Sequence, residues 1–125
     1  MSKRILVVDD DADTTAMLVM YLQSLGHEVH CAADGEEAVA TSRNFHPDVI
    51  LLDLGLPRLN GLAAAREIRR FALEPRPLIV ATTGYGGVNH RMASDEAGID
   101  IHLVKPVDLD VLERLMAAES IESPA

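Results

Sequence analysis

Five short apolar runs, each separated from the next by a helix-patterned stretch, limit how this chain can fold more than any other feature. The runs are Arg4–Val8, the weaker Glu28–Ala32, Val49–Leu52, Leu78–Ala81 and Ile101–Val104. Between the first two, Ala16, Leu18, Val19, Leu22 and Leu25 recur at helical spacing over Ala12–Leu25 and stop at Gly26. Asp34 with Glu37 three residues later makes a capping-box start for a second helix. Further helices are predicted over Gly61–Phe71, over Asn89–Ala97 with Gly98 behind it, and over Val107–Ala118 with Asp108 as cap. Strands that are apolar throughout must be covered on both faces, which implies a parallel sheet. Right-handed crossovers then give an α/β, doubly wound, five-stranded parallel sheet with five helices. A length of 125 residues, 48% of them hydrophobic, fits one domain over 1–125, with its core at 4–118 and a tail at 119–125.

In such sheets, ligands sit beyond the carboxyl ends of the strands, so the residues that close each run are the candidates for chemistry. Asp9, Asp10 and Asp11 follow the first strand, Asp53 the third, Thr82, Thr83 and Gly84 the fourth, and Lys105 and Pro106 the fifth. The second ends only in Ala32-Ala33-Asp34. Each has a plain structural role open to it: Asp10 or Asp11 can cap a helix, Asp53 a turn, and threonines suit strands. Those roles do not explain why acid, hydroxyl and ammonium converge on one edge. Clustered carboxylates repel each other and call for a cation, and hard oxygen donors without His or Cys favour Mg2+, with Mn2+ as the alternative. A phosphoryl group there would have its charge neutralised by the metal and Lys105, and a threonine hydroxyl could donate to one of its oxygens. Carboxylates are known nucleophiles toward phosphoryl groups, giving an aspartyl phosphate.

These residues resemble the receiver domains of two-component response regulators. The motifs that carry the resemblance are Ile5-Leu6-Val7-Val8-Asp9-Asp10, Ile50-Leu51-Leu52-Asp53-Leu54-Gly55-Leu56-Pro57, Asn60-Gly61, Thr83-Gly84 and Lys105-Pro106. The resemblance spans residues 4 to about 118 and implies a flavodoxin-like fold with strand order 2-1-3-4-5. It implies that Asp53 is the phosphoacceptor, with Thr83 and Lys105 on the phosphoryl oxygens. It implies Mg2+ held by Asp10, Asp53 and the backbone carbonyl of Gly55, with Asp9 acting through water. Thr83 is preferred to Thr82 because a small residue, Gly84, follows it and because its spacing to Lys105 matches the family's. The implied donor is a histidine kinase or a phosphotransfer domain. The implied output is a change in the face made by the fourth helix, fifth strand and fifth helix, with a phosphorylation-dependent dimer allowed. Such a domain is a signalling device that promotes its own phosphotransfer and self-dephosphorylation, not an enzyme acting on outside substrates. His102 occupies the family's switch position, where an aromatic ring is usual. Gly55 and Tyr85 stand at the two positions that often tune phosphate lifetime.

With 11 basic and 20 acidic residues the formal charge is −9, which disfavours nucleic acid and anionic membranes as partners. Cys31 is the only cysteine, so no internal disulfide can form, and the first apolar run is too short for a signal peptide or a membrane span. The expected location is the cytoplasm. His27, His30, His46, His90 and His102 show no zinc spacing. His27 and His30 are expected at strand-edge surface, and Arg66, Arg69 and Arg70 on a solvated helix face. A calcium loop starting at Asp9 fails, because Thr14 and Met20 stand where Gly and Glu are needed. An aspartyl-nucleophile phosphatase leaves Asp53 unexplained and needs a substrate cap that 125 residues hardly allow. A flavin carrier fits poorly with two Tyr, two Phe and no Trp.

Overall fold

The computed structural model describes residues 2–55, 60–71, 73–84 and 97–117. Along the chain run β1 (Arg4–Val8), α1 (Ala12–Ser24), β2 (Glu28–Ala32), α2 (Gly35–Phe45), β3 (Val49–Asp53), α3 (Gly61–Arg70), β4 (Leu78–Thr83), β5 (Ile101–Val104) and α4 (Leu109–Ala117). The helix expected over Asn89–Ala97 and the tail beyond Ala117 lie outside the described residues, apart from Ala97. Four helices are therefore described, and the C-terminal one is α4. Among the described residues, no helix is long and apolar enough to cross a membrane.

All strand pairs are parallel and the order is β2-β1-β3-β4-β5. Burial follows that order. Every residue of β3 and β4 is buried, whereas β2 and β5, at the edges, are mostly exposed or half-buried. Alternation along the strands feeds two cores. Ile5, Val7, Leu51 and Val80 point to the α1 and α4 side, where Leu18, Leu22, Leu112 and Met116 meet them. Leu6, Val8, Leu52 and Ala81 point to the other side, where Ala38, Ala64, Ala65 and Ile68 cover them.

The helix starts behave as their caps dictate. Asp34 accepts the Glu37 backbone N–H at 2.8 Å, Asn60 accepts that of Ala63 at 2.9 Å, and Asp108 accepts that of Asp110 at 2.9 Å. Charges follow the helix dipoles: Asp13, Glu36, Glu37 and Asp110 lie in first turns, and Arg43, Arg69, Arg70 and Arg114 in last turns. Strand β4 runs two residues further than its apolar pattern, because Thr82 pairs with Asp53 and Thr83 with Val104.

Candidate functional site

The carboxyl ends of β1, β3 and β5 bring three acids and one ammonium together. Asp9 and Asp53 end up almost buried, 5% and 7% exposed, while Asp10, one residue on, is exposed. Carboxylate oxygens of Asp9, Asp10 and Asp53 all lie within 4.8 Å of one another. The Lys105 ammonium stands 3.2 Å from Asp9 Oδ2 and 3.2 Å from Asp53 Oδ2.

Backbone geometry fixes these groups. Asp9 Oδ1 accepts the Asp11 N–H at 2.9 Å, and Asp53 Oδ1 accepts the Gly55 N–H at 2.9 Å. Each buried carboxylate thus spends one oxygen on a turn and offers the other to Lys105. Lys105 is itself held by its backbone N–H, which donates to Thr83 O at 2.7 Å. Burial works to lower the Lys105 pKa, but the hydrogen bonds and charges of Asp53 and Asp9 outweigh it and hold the pKa above the ordinary lysine value. The ammonium is therefore charged at neutral pH, as a group that neutralises anions must be.

Gly61 also shapes the site. A Cβ at this position would lie 2.6 Å from Asp53 O and 2.7 Å from Leu54 Cα, so the first turn of α3 presses on the backbone of Asp53. Only glycine permits that approach.

Of the residues singled out from sequence, Asp9, Asp10, Asp53 and Lys105 come together. Gly55 joins them through its backbone. Thr82 and Thr83 are both buried. Thr82 shares the sheet face of Asp53, its register partner, and lines a groove of about 470 Å³ with Asp9, Met17 and Lys105, whereas Thr83 takes the opposite face one residue later. His102 lies half-buried on β5, paired with Ala81, away from the acidic cluster. Tyr85 is outside the described residues.

Two side chains differ from their expected surface roles. Arg69 is not on a solvated face: its fork donates to Gly98 O at 3.0 Å, Pro77 O at 2.7 Å and Asp100 Oδ2 at 2.8 Å. His27 is half-buried, and its Nδ1 accepts the Lys3 N–H at 3.0 Å. Helical spacing shows which face a residue occupies, but not that a carboxylate 31 residues away will catch its far end.

All-oxygen donors of this kind suit a hard divalent cation. Among the described residues, no histidine or cysteine belongs to the cluster.

The model of the response regulator receiver domain matches residues 5–117. The transcriptional regulatory protein PrrA of Mycobacterium tuberculosis is 39% identical over 116 residues, which is 93% of this chain and 48% of PrrA. The chain spans about half, or less, of the length of the curated relatives it matches. Among solved structures, the receiver domain of a sensor histidine kinase from Pseudomonas aeruginosa, with a magnesium ion coordinated in its active-site cleft, gives a TM-score of 0.81. It is 35% identical, over 93% of this chain and 95% of that one. The co-crystal structure of the Saccharomyces cerevisiae histidine phosphotransfer signaling protein Ypd1 with the receiver domain of its downstream response regulator Ssk1 gives a TM-score of 0.84. That match is 26% identical and covers 96% and 94% of the two chains.

Proposed function

The chain belongs to the response-regulator receiver family of two-component systems, and on that premise we propose that Asp53 accepts a phosphoryl group from a phosphohistidine-bearing protein, a histidine kinase or a phosphotransfer domain. The observation that carries this reading is the pairing of Asp53 Oδ2 with Lys105 at 3.2 Å inside a cluster of three carboxylates. Asp53 Oδ2 attacks phosphorus. The new oxygen–phosphorus bond forms as the phosphorus–nitrogen bond to the imidazole breaks, and the imidazole leaves with the electron pair. Lys105 then shifts from carboxylate to phosphoryl oxygen without leaving the site, and the Thr83 hydroxyl donates to another oxygen. In self-dephosphorylation a water oxygen takes the phosphorus, and Asp53 recovers its carboxylate.

The site fits Mg2+, with Mn2+ as an alternative of the same hardness. Asp10, Asp53 and the Gly55 carbonyl would hold it, Asp9 would act through water, and when bound it supplies positive charge against the phosphoryl oxygens. The signal leaves by the face that carries His102, to which β5 and α4 belong among the described residues. The domain works in the cytoplasm, within a longer regulator or as a separate unit.

Labelling with acetyl phosphate and Mg2+ tests this reading. Asp53→Asn is expected to abolish incorporation, since an amide is a poor nucleophile. Thr83→Ala is expected to slow it about tenfold, because a hydrogen bond to a charged oxygen is worth ~1.5 kcal/mol or more. Thr82→Val should leave the rate within about twofold. Undiminished labelling of the Asp53→Asn variant overturns the phosphoacceptor assignment, and a reversed order of the two threonine variants transfers the hydroxyl role to Thr82.

A further inference from the structure

The opposite end of the sheet from the acidic cluster holds a second buried constellation. Asp100, its side chain only 3% exposed, immediately precedes β5. Its Oδ2 accepts from Arg69 Nη2 at 2.8 Å and from the Ile79 N–H at 2.9 Å, and its Oδ1 pairs with Arg76 Nη1 at 3.0 Å. The other two arms of the Arg69 fork hold the carbonyls of Gly98 and Pro77. Gly98 is shaped for this grip: it has a φ of +86°, and a Cβ there would stand 2.8 Å from Arg69 Cγ. One guanidinium therefore ties the last turn of α3 to the start of β4 and the entry to β5.

That grip bears on the site through β5 itself. The strand has four residues, none of them fully buried, and among the described residues it pairs on one side only, with β4. Asp100 stands at one end of it and Lys105 at the other. An edge strand so short and so lightly packed is located by its two ends as much as by its ladder. At the far end is the Lys105 N–H bond to Thr83 O, and at the near end is the Arg69–Asp100 fork.

We propose that Arg69, acting through Asp100, is a positioning residue that sets where β5 lies and so keeps the Lys105 ammonium between Asp9 and Asp53. The inference rests on the reading of Lys105 and Asp53 as the phosphorylation site for its consequence, but not for its geometry. Because the fork grips three groups at fixed angles, a lysine at position 69 cannot replace it. The same helix presses Gly61 on Asp53 at its first turn and grips β5 at its last, so α3 spaces nucleophile and ammonium from both ends.

The test compares Arg69→Met, Arg69→Lys and the double variant Arg69→Met with Asp100→Asn, the last also removing the charge that the first leaves to Arg76 and the Ile79 N–H. Arg70→Met is the control, since Arg70 is exposed and, among the described residues, bonded only to Glu67 within its own helix. Two quantities are read: the NMR signal of the Lys105 ammonium in the unphosphorylated protein, and the kcat and KM of labelling by acetyl phosphate with Mg2+. In the fork variants the Lys105 signal should move toward that of a free lysine. kcat should fall by up to about a hundredfold with KM little changed, as a misplacement of about 1 Å predicts. Arg70→Met should change neither. A fork with only a structural role would lower melting temperature and leave the Lys105 signal in place; that result in any folded fork variant overturns the proposal. If Arg69→Met alone does not fold, the lysine and double variants decide. If the parent protein takes no label at Asp53, the phosphorylation reading fails while the Lys105 signal still decides this one.

Discussion

His27 shows how much one side chain can rest on its protonation state. Its Nδ1 must be free of a proton to accept the Lys3 N–H. Burial, with the Lys3 charge adding to it, holds its pKa below the ordinary 6.5. The unfolded chain therefore binds a proton at His27 more readily than the folded one. The stability this contributes is complete above pH 6.5 and is lost as pH falls below 6.5 through the depressed folded value. The denaturant midpoint of the parent should drop between pH 7.5 and pH 5 by more than that of His27→Gln, whose side-chain oxygen accepts at any pH; identical curves would show that the Lys3 contact does not sense the proton. At this scale the acids and Lys105 were legible because each directly follows an apolar run, and strand ends are where such sheets place ligands. The Lys3–His27 and Arg69–Asp100 contacts were not legible, since they join residues 24 and 31 apart with no repeating pattern between them. Thr82 and Thr83 stayed ambiguous for a different reason. Spacing favours one and face the other, and as the last two residues of β4 they turn to opposite faces.

At the scale of elements, α3 is fixed by what its first residue lacks. Gly61→Ala puts a methyl 2.6 Å from Asp53 O and 2.7 Å from Leu54 Cα, both backbone atoms that cannot swing aside. Relief requires α3 or the end of β3 to move, at a cost of about 1–3 kcal/mol. The expected outcome is a melting temperature lower by several degrees, with slower labelling of Asp53; an unchanged melt and rate would mean that the junction yields freely. The described elements were readable because each apolar run matches one strand, and each helical pattern that falls on described residues matches one helix. The boundary of β4 differs because the strand extends past its apolar stretch through ladder bonds to Asp53 and Val104, partners that the local pattern does not contain. The start of α4 at Leu109 follows from the Asp108 cap that the local pattern does contain. The helix predicted over Asn89–Ala97 falls on residues outside the described set.

For the whole molecule, the site is a strain that the fold carries. Asp9 and Asp53 share Lys105, whereas Asp10 brings a third negative charge with no ion pair recorded for it among the described residues. Two carboxylates at about 4 Å repel by ~4 kcal/mol at an effective dielectric near 20, before solvent screening of the exposed Asp10 reduces it. In the presence of chelator, Asp10→Asn is expected to melt a few degrees above the parent, and Mg2+ to raise the parent but not the variant by a comparable amount. A variant that melts below the parent in chelator would show that the acids are not in conflict. The capping charges have a larger-scale effect. Every described helix runs against the strands, so first-turn acids and the site carboxylates gather at one pole, and Arg43, Arg69, Arg70 and Arg114 at the other. The molecule is thus a dipole superimposed on a net charge of −9. In the field of a cationic surface it feels a torque as well as a pull, and it turns its acidic pole forward before any atom touches. Orientation is then settled during diffusion, over distances of the order of the Debye length, and encounter becomes faster and better aimed as ionic strength falls.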